Sequence, residues 1–268
     1  MKSYAKINLS LHVKSPRPDG YHNIESLMQK VDLADEMAVT LSDTFTILCD
    51  RPLPEVNTLT KAYDAITAVY GQLPVAVRLN KVIPMGSGLA GGSANAADLI
   101  HAVDALYHLG MTMEEKRRIA VEVGADVPFM LESHAGICEG IGERVRPLSL
   151  GDYIGVIVNP GFEVSSKDVY EHMSLNPQPL SMERLIEVIQ KRDLDAVSTA
   201  LRNDMEPYVF SRYPQVKALK DTMGRFTPAC LMSGSGASVY GLFVDEGAAE
   251  GAYRYFADRV CTFKVKFL

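Results

Sequence analysis

The sequence predicts an α+β chain of two lobes. Three observations carry that reading. An alternating strand opens the chain, and capped amphipathic helices then mix with further strands. Beyond about residue 150 short helices dominate, and strand-like pieces flanking a helix close the chain. The division is expected at 152/153, giving lobes of residues 1–152 and 153–268. At 268 residues and 47% hydrophobic content the chain can bury a sizeable core.

The elements follow in order. In YAKINLSLHV, residues 4–13, Ala5, Ile7, Leu9, Leu11 and Val13 alternate with Lys6, Asn8, Ser10 and His12, as in a half-buried strand. PRPDGYHN, 16–23, breaks it with two prolines and an Asp-Gly turn. Strands are expected at 37–41 and 44–49. Asn57 caps a helix over 58–70 with a stripe of Leu59, Ala62, Tyr63, Ile66 and Tyr70. VAVRLN, 75–80, alternates again, and a helix is expected from about Ser93 to Leu109. Thr112 and Glu115 form a capping box for the next helix, which Gly124 ends. YIGVIVN, 153–159, reads as a buried strand. Short helices are expected over 166–173, 181–191, 193–201, 203–211 and 214–223, then strand pieces within 229–244, a helix at 246–258 and a last strand, CTFKVKF.

Charge and cysteine usage exclude several classes. The formal charge is −6 with no Lys/Arg block, which argues against nucleic acid as a partner. Cys49, Cys138, Cys230 and Cys261 are too dispersed for a zinc site or a disulfide framework, and are read as reduced, mostly buried thiols. The opening MKSYAKINLS has no apolar leader and no run reaches membrane-spanning length, so a soluble, cytoplasmic protein is expected.

The chemistry centres on IPMGSGLAGGSANAA, residues 83–97. Clustered glycines let a backbone turn tightly with its N–H groups inward, and a helix opening at Ser93 adds unpaired amides. A phosphate site is expected, against a glycine-rich turn with a serine cap. The lysine of a GxxxxGK[ST] loop is missing. GSGLAG has the GxGxxG spacing with Asp104 downstream, but its preceding strand reads as antiparallel or mixed, which a dinucleotide site does not use. A second cluster, MSGSGASVYG at 232–241, is either a hairpin or the other wall of the same anion site.

Together PMGSGLAGGSANAA and SGSGAS resemble the two glycine motifs of the GHMP kinases. AKINLSLHV, RPDGYHNIES, GADVPFML and PGFEVSSKDVY narrow the resemblance to the branch acting on 4-diphosphocytidyl-2-C-methyl-D-erythritol in non-mevalonate isoprenoid synthesis. The resemblance implies a ribosomal-protein-S5-like N-terminal lobe and a ferredoxin-like C-terminal lobe. It also implies ATP and Mg²⁺ as cofactors, and phosphorylation of the substrate's 2-hydroxyl. Two departures stand out: SYAKIN lacks a preceding Ala-Pro, and Ala94 stands where serine is commoner.

The resemblance also implies roles. Asp126 becomes the general base, where local sequence alone leaves it equally a turn cap. Lys6, otherwise an ordinary solvated lysine, becomes its cationic partner, and Asn8 orients the substrate or that lysine. Pro84, Met85, Gly86, Ser87, Gly88, Leu89, Ala90, Gly91, Gly92, Ser93 and Ala94 form the ATP-phosphate segment, with the Ser93 hydroxyl toward magnesium. No metal ligand set is assigned. Tyr21, His22 and Tyr170 are expected around the cytosine, with His134 at its edge, and Gly234 and Ser235 approach from the second lobe. Asn57 and Lys81 touch the adenosine, or are a helix cap and a solvated strand end. Met28, Met85, Met130 and Met232 are read as packing residues, and Glu139 and Glu143 as ordinary turn acids. The partner is a small cytidine-diphosphate-linked molecule, with no nucleic acid or membrane, and the chain is a monomer or homodimer. The rivals are a homoserine- or mevalonate-type kinase and a non-catalytic nucleotide-binding protein on the same scaffold.

Overall fold

The computed structural model describes residues 1–268. Its first half comprises β1 (Lys2–Pro16), β2 (His22–Leu41), β3 (Thr46–Cys49), α1 (Thr58–Tyr70), β4 (Val75–Asn80), α2 (Gly91–Tyr107), α3 (Met113–Val123), α4 (Val127–Glu132), β5 (Ala135–Gly140) and β6 (Arg144–Leu148). The second half adds β7 (Ile154–Asn159), α5 (Ser166–His172), α6 (Met182–Lys191), α7 (Leu194–Ala200), β8 (Arg202–Asn203), α8 (Glu206–Arg212), α9 (Pro214–Met223), β9 (Cys230–Met232), β10 (Val239–Phe243), α10 (Glu246–Ala257) and β11 (Cys261–Lys266).

The strands form two sheets. In the first, β2 is the spine: it pairs antiparallel with β1, with β5 through its first half and with β4 through its last residues. β3 joins β4 in parallel, so this sheet is mixed, as expected of the strand before the glycine loop. The second sheet has the order β11-β7-β10-β9 and is antiparallel throughout. Three apolar clusters give the layers. One lies between the first sheet and α1–α4. A second joins Ile7, Leu9 and Leu27 of the first sheet to Ile157, Tyr240 and Leu242 of the second. The third fills the far side of the second sheet beneath α8, α9 and α10.

Several expectations are met residue by residue. Asn57 caps α1 through both reciprocal hydrogen bonds, and Thr112 and Glu115 do the same for α3, which Gly124 ends. β4 has the expected bounds. Others need correction. β1 is buried on both faces: Lys6, Asn8, Ser10 and His12, expected to face water, are 2%, 1%, 0% and 7% exposed. Its polar face is covered by the glycine bends and by Asp204. Only 37–41 was expected as strand in that region, whereas β2 runs unbroken from His22, its pattern obscured by Asp32, Asp35 and Glu36. Helix α2 starts at Gly91 rather than Ser93, with Ala90 in the left-handed conformation before it and no side-chain cap. Glu139 and Glu143, expected as ordinary turn acids, lie on β5 and in the turn of the β5–β6 hairpin, whose strands were not expected. All four cysteines are free, but only Cys138 is buried, and Cys261 is exposed.

Two buried carboxylates tie these layers together. Asp35, fully buried on β2, accepts from the amides of Val82 and Ile83 at 2.8 Å each, from Asn95 Nδ2 at 3.0 Å and from the Lys81 ammonium. It thereby fixes the exit of β4 to the start of α2. Asp204, just after β8, takes 2.7 Å and 2.9 Å hydrogen bonds from His12 Nδ1 and the Val13 amide, and a 2.6 Å bond from Arg202 Nε. Burial pushes the Asp204 carboxyl up, but the hydrogen bonds from Arg202, His12 and Val13 outweigh it and hold its pKa below the usual range.

Asp35→Ala leaves Lys81 an unpaired buried cation and orphans two amides. It should cost about 3–5 kcal/mol in urea unfolding. Because the folded-state pKa of Asp204 is depressed, its stabilisation is present above the unfolded value of about 4 and is lost as pH falls through the folded value. Asp204→Asn should therefore unfold less steeply with falling pH below about pH 4 than the parent chain, as read by circular dichroism.

Candidate active site

One cleft of about 950 Å³ gathers most of the expected residues. It is lined by Lys6 and Asn8 of β1, Tyr21 and His22 at the start of β2, the bend before α2, Asp126 ahead of α4, one face of α5, and Gly234 and Ser235.

The bend at 84–90 has a definite polarity. Its carbonyl oxygens, that of Met85 apart, are consumed by the protein: Pro84 O by Ser87 Oγ at 2.6 Å, Gly86 O by the Val164 amide at 3.2 Å, Ser87 O by the Ser238 amide at 3.1 Å. Gly88 O accepts from Ser233 Oγ at 2.8 Å, and Leu89 O from the Lys6 amide at 3.1 Å. The amides of Gly86, Ser87, Gly88, Leu89 and Ala90 donate to nothing in the chain. The first turn of α2 adds its own unpaired N–H groups beside them. The result is an amide-lined nest with the positive end of a 17-residue helix behind it. The two glycine clusters do meet. A Cβ on Gly88, whose φ is +79°, would collide with Ser233 O, and one on Gly234 would sit 3.2 Å from the Gly88 backbone.

Lys6 and Asp126 stand face to face across this nest. Lys6 Nζ is 3.4 Å from Asp126 Oδ2, donates to Asn8 Oδ1 at 2.6 Å and reaches Gly88 O at 3.3 Å. The lysine side chain is 3% exposed and the aspartate 30%. Asp126 precedes α4 but makes no side-chain cap bond, so its carboxylate is free for the cleft. Asn8 is fully committed: its Nδ2 donates to Ser26 Oγ at 2.8 Å while its Oδ1 holds Lys6. It orients the lysine.

At the mouth, Arg17 grips Asp19, whose Oδ1 accepts the Tyr21 amide at 3.1 Å, so Asp19 shapes the turn as expected. Tyr21 is 56% exposed. The His22 ring stacks on Tyr170 with centroids 5.0 Å apart and planes 17° from parallel. His22 Nδ1 is buried and has no hydrogen-bond partner. Burial first, and the Asp126 carboxylate second, push the Tyr170 phenol up. The ring facing Tyr170 is thus His22 and not Tyr21. Ser235 Oγ lies 2.7 Å from Ser166 Oγ, linking the second bend to α5.

Some expected residues fall elsewhere. His134 is exposed at the start of β5 and does not line the cleft. Leu89 and Ala94 are buried behind the bend, and Ala94 belongs to the apolar cluster under α1–α4, so a hydroxyl there would point into core. Lys81 lines the cleft but is 4% exposed and held by Asp35 and Asn95, which corrects the reading of a solvated strand end. Asn57 lines the cleft and caps α1 at once. Asp104 pairs with Lys116 at 2.6 Å and with the Met111 amide, away from any dinucleotide role. Met28, Met130 and Met232 are packed, whereas Met85 is 37% exposed at the cleft. Glu143 closes its own turn on the Ile141 amide, and no group of three metal-ligating side chains occurs. Asp35, Ser26 and Ser233 were missed. Each is a short polar residue in a strand or bend, and only its distant partners give it a role.

No helix is long and apolar enough to cross a membrane. Residues 57–134 match the GHMP kinases N terminal domain and residues 185–260 the GHMP kinases C terminal family. The chain is 37% identical over 261 residues to the 4-diphosphocytidyl-2-C-methyl-D-erythritol kinase of Thermoanaerobacter pseudethanolicus, covering 94% of this chain and 90% of that one. It is 37% identical over 268 residues to the enzyme of the same name from Clostridium novyi, covering 96% and 95%. A crystal structure of 4-(cytidine 5'-diphospho)-2C-methyl-D-erythritol kinase superposes with a TM-score of 0.86 at 29% identity, over 100% of this chain and 98% of that one. Homoserine kinase from Cytophaga hutchinsonii, at TM-score 0.70 and 20% identity over 100% and 95%, shares the fold. An amide-lined bend facing a Lys–Asp pair, on a chain with these relatives, places it in the GHMP kinases, within the 4-diphosphocytidyl-2-C-methyl-D-erythritol kinase family.

Proposed function

We propose that this kinase transfers the γ-phosphate of ATP to the 2-hydroxyl of 4-diphosphocytidyl-2-C-methyl-D-erythritol, with Asp126 as general base. The observation that carries this is the unpaired amide nest at 86–90 opening onto Asp126 and Lys6 in one cleft. The nest and the α2 terminus receive the phosphate oxygens of ATP. Asp126 takes the proton of the hydroxyl as its oxygen bonds to the γ-phosphorus and the bond to the β-phosphate oxygen breaks, releasing ADP. Lys6 stabilises negative charge on the attacking oxygen. The acceptor is a crowded tertiary alcohol, so positioning contributes much of the rate. His22 and Tyr170 hold the pyrimidine, and the unpaired His22 Nδ1 meets its polar edge.

The residues present fit a magnesium ion carried in with ATP. Ser93 lines the cleft and its hydroxyl has no partner in the chain. A hydroxyl together with phosphate oxygens and waters can complete an octahedral Mg²⁺ set, and Ser93 would hold that ion. Bound there, it supplies neutralisation of phosphate charge. The reading as a small-molecule enzyme with no nucleic-acid or membrane partner rests on the absence of a basic block in the sequence; a monomer or homodimer suits a cleft built within one chain.

Asp126→Asn should lower kcat by about 10²–10⁴-fold while ATP binding, measured by calorimetry, stays within twofold. Normal turnover in that variant would remove Asp126 as the base. Gly88→Ala should lose more than about tenfold in ATP affinity and melt at lower temperature, because its left-handed backbone and the Ser233 carbonyl leave no room for a methyl group.

A further inference from the structure

We propose that Lys167 reads the diphosphate of the substrate, distinguishing a cytidine diphosphate from a bare cytidine. This rests on the pyrimidine reading given above. Three lysines, and no arginine, line the cleft: Lys6, Lys81 and Lys167. The first two are buried and already paired, Lys6 with Asp126 and Lys81 with Asp35. Lys167 is 84% exposed, and its single ion-pair partner is Glu171 at 3.8 Å. An exposed pair that long contributes little. Lys167 is the cleft's uncommitted cation.

Its place suits the diphosphate. Ser166, Lys167, Tyr170 and Glu171 form one face of α5, and all four line the cleft. Lys167 stands one turn, about 5 Å of rise, from the ring that stacks on His22. The diphosphate joins the nucleoside at Tyr170 to the alcohol at Asp126. Tyr170, Asp126 and Lys167 line one cleft, and the 84% exposed Lys167 side chain lies at its rim beside Tyr170 on α5, within reach of that link. Glu171 opposes an anion there, and Asp19, the other acid at the mouth, is neutralised by Arg17. The net preference therefore depends on Lys167 outweighing Glu171.

The test measures dissociation constants of cytidine 5′-diphosphate and of cytidine by calorimetry, with a non-hydrolysable ATP analogue saturating so that neither probe enters the ATP site. In the parent chain the diphosphate binds at least tenfold tighter. Lys167→Ala cuts that ratio about five- to tenfold, Lys167→Glu cuts it further, and Glu171→Gln raises it. Lys217→Ala, which removes an equal charge outside the cleft, leaves the ratio unchanged. A ratio unaltered in Lys167→Ala, with cytidine still bound, overturns the assignment of Lys167 alone. A parent chain that binds no cytidine overturns the pyrimidine reading, and this inference with it.

Discussion

The constraint on which the site depends is the one-sided polarity of the bend at 84–90. A peptide carries a donor and an acceptor in equal number, and a loop exposed to solvent shows both. Here the protein absorbs the acceptors, that of Met85 apart, through Ser87, Ser233, Ser238, Val164 and Lys6, and leaves the donors. That asymmetry gives a glycine-rich loop a donor-lined face, suited to an anion, without a lysine inside it. It also explains why the second glycine cluster must come so close: Gly234 and Ser233 cover the carbonyl side of Gly88. Asp35 holds the frame from below, by tying the strand that enters the bend to the helix that leaves it.

The two buried lysines illustrate how such a site keeps cations in a place where water is scarce. An isolated ammonium would lose its proton there. Lys81 has a carboxylate in contact and an amide oxygen at 3.1 Å. Lys6 has an amide oxygen at 2.6 Å and the Asp126 carboxylate at 3.4 Å. The tighter pair is structural, with its carboxylate wholly buried. The looser one leaves Asp126 partly open, as the proposed general base needs.

Much of the fold was legible from local signals. Caps at Asn57 and Thr112, the stop at Gly124 and the alternation of 75–80 are short-range events, and each appears where its residues place it. That the glycine bend and Asp126 share one cleft was expected from the family motifs that carry them. What escaped was decided at a distance. The polar face of β1 has a half-exposed pattern, yet residues some 80, 190 and 225 positions away bury it. Asp35 sits among acids in an apparently mixed segment, and its partners lie 46 to 60 residues on. Ser93 reads as a cap by type, but the helix begins two residues earlier because Ala90 turns left-handed.

The parallel pairing of β8 with β1 has a mechanical corollary. Chain from the far half of the sequence returns to hydrogen-bond beside Ser10 and Leu11, and Asp204 locks it to His12 and Val13. Two such halves are stitched rather than hinged. Swinging them apart as a clamshell would break that pairing and the Asp204 hydrogen bonds beside it.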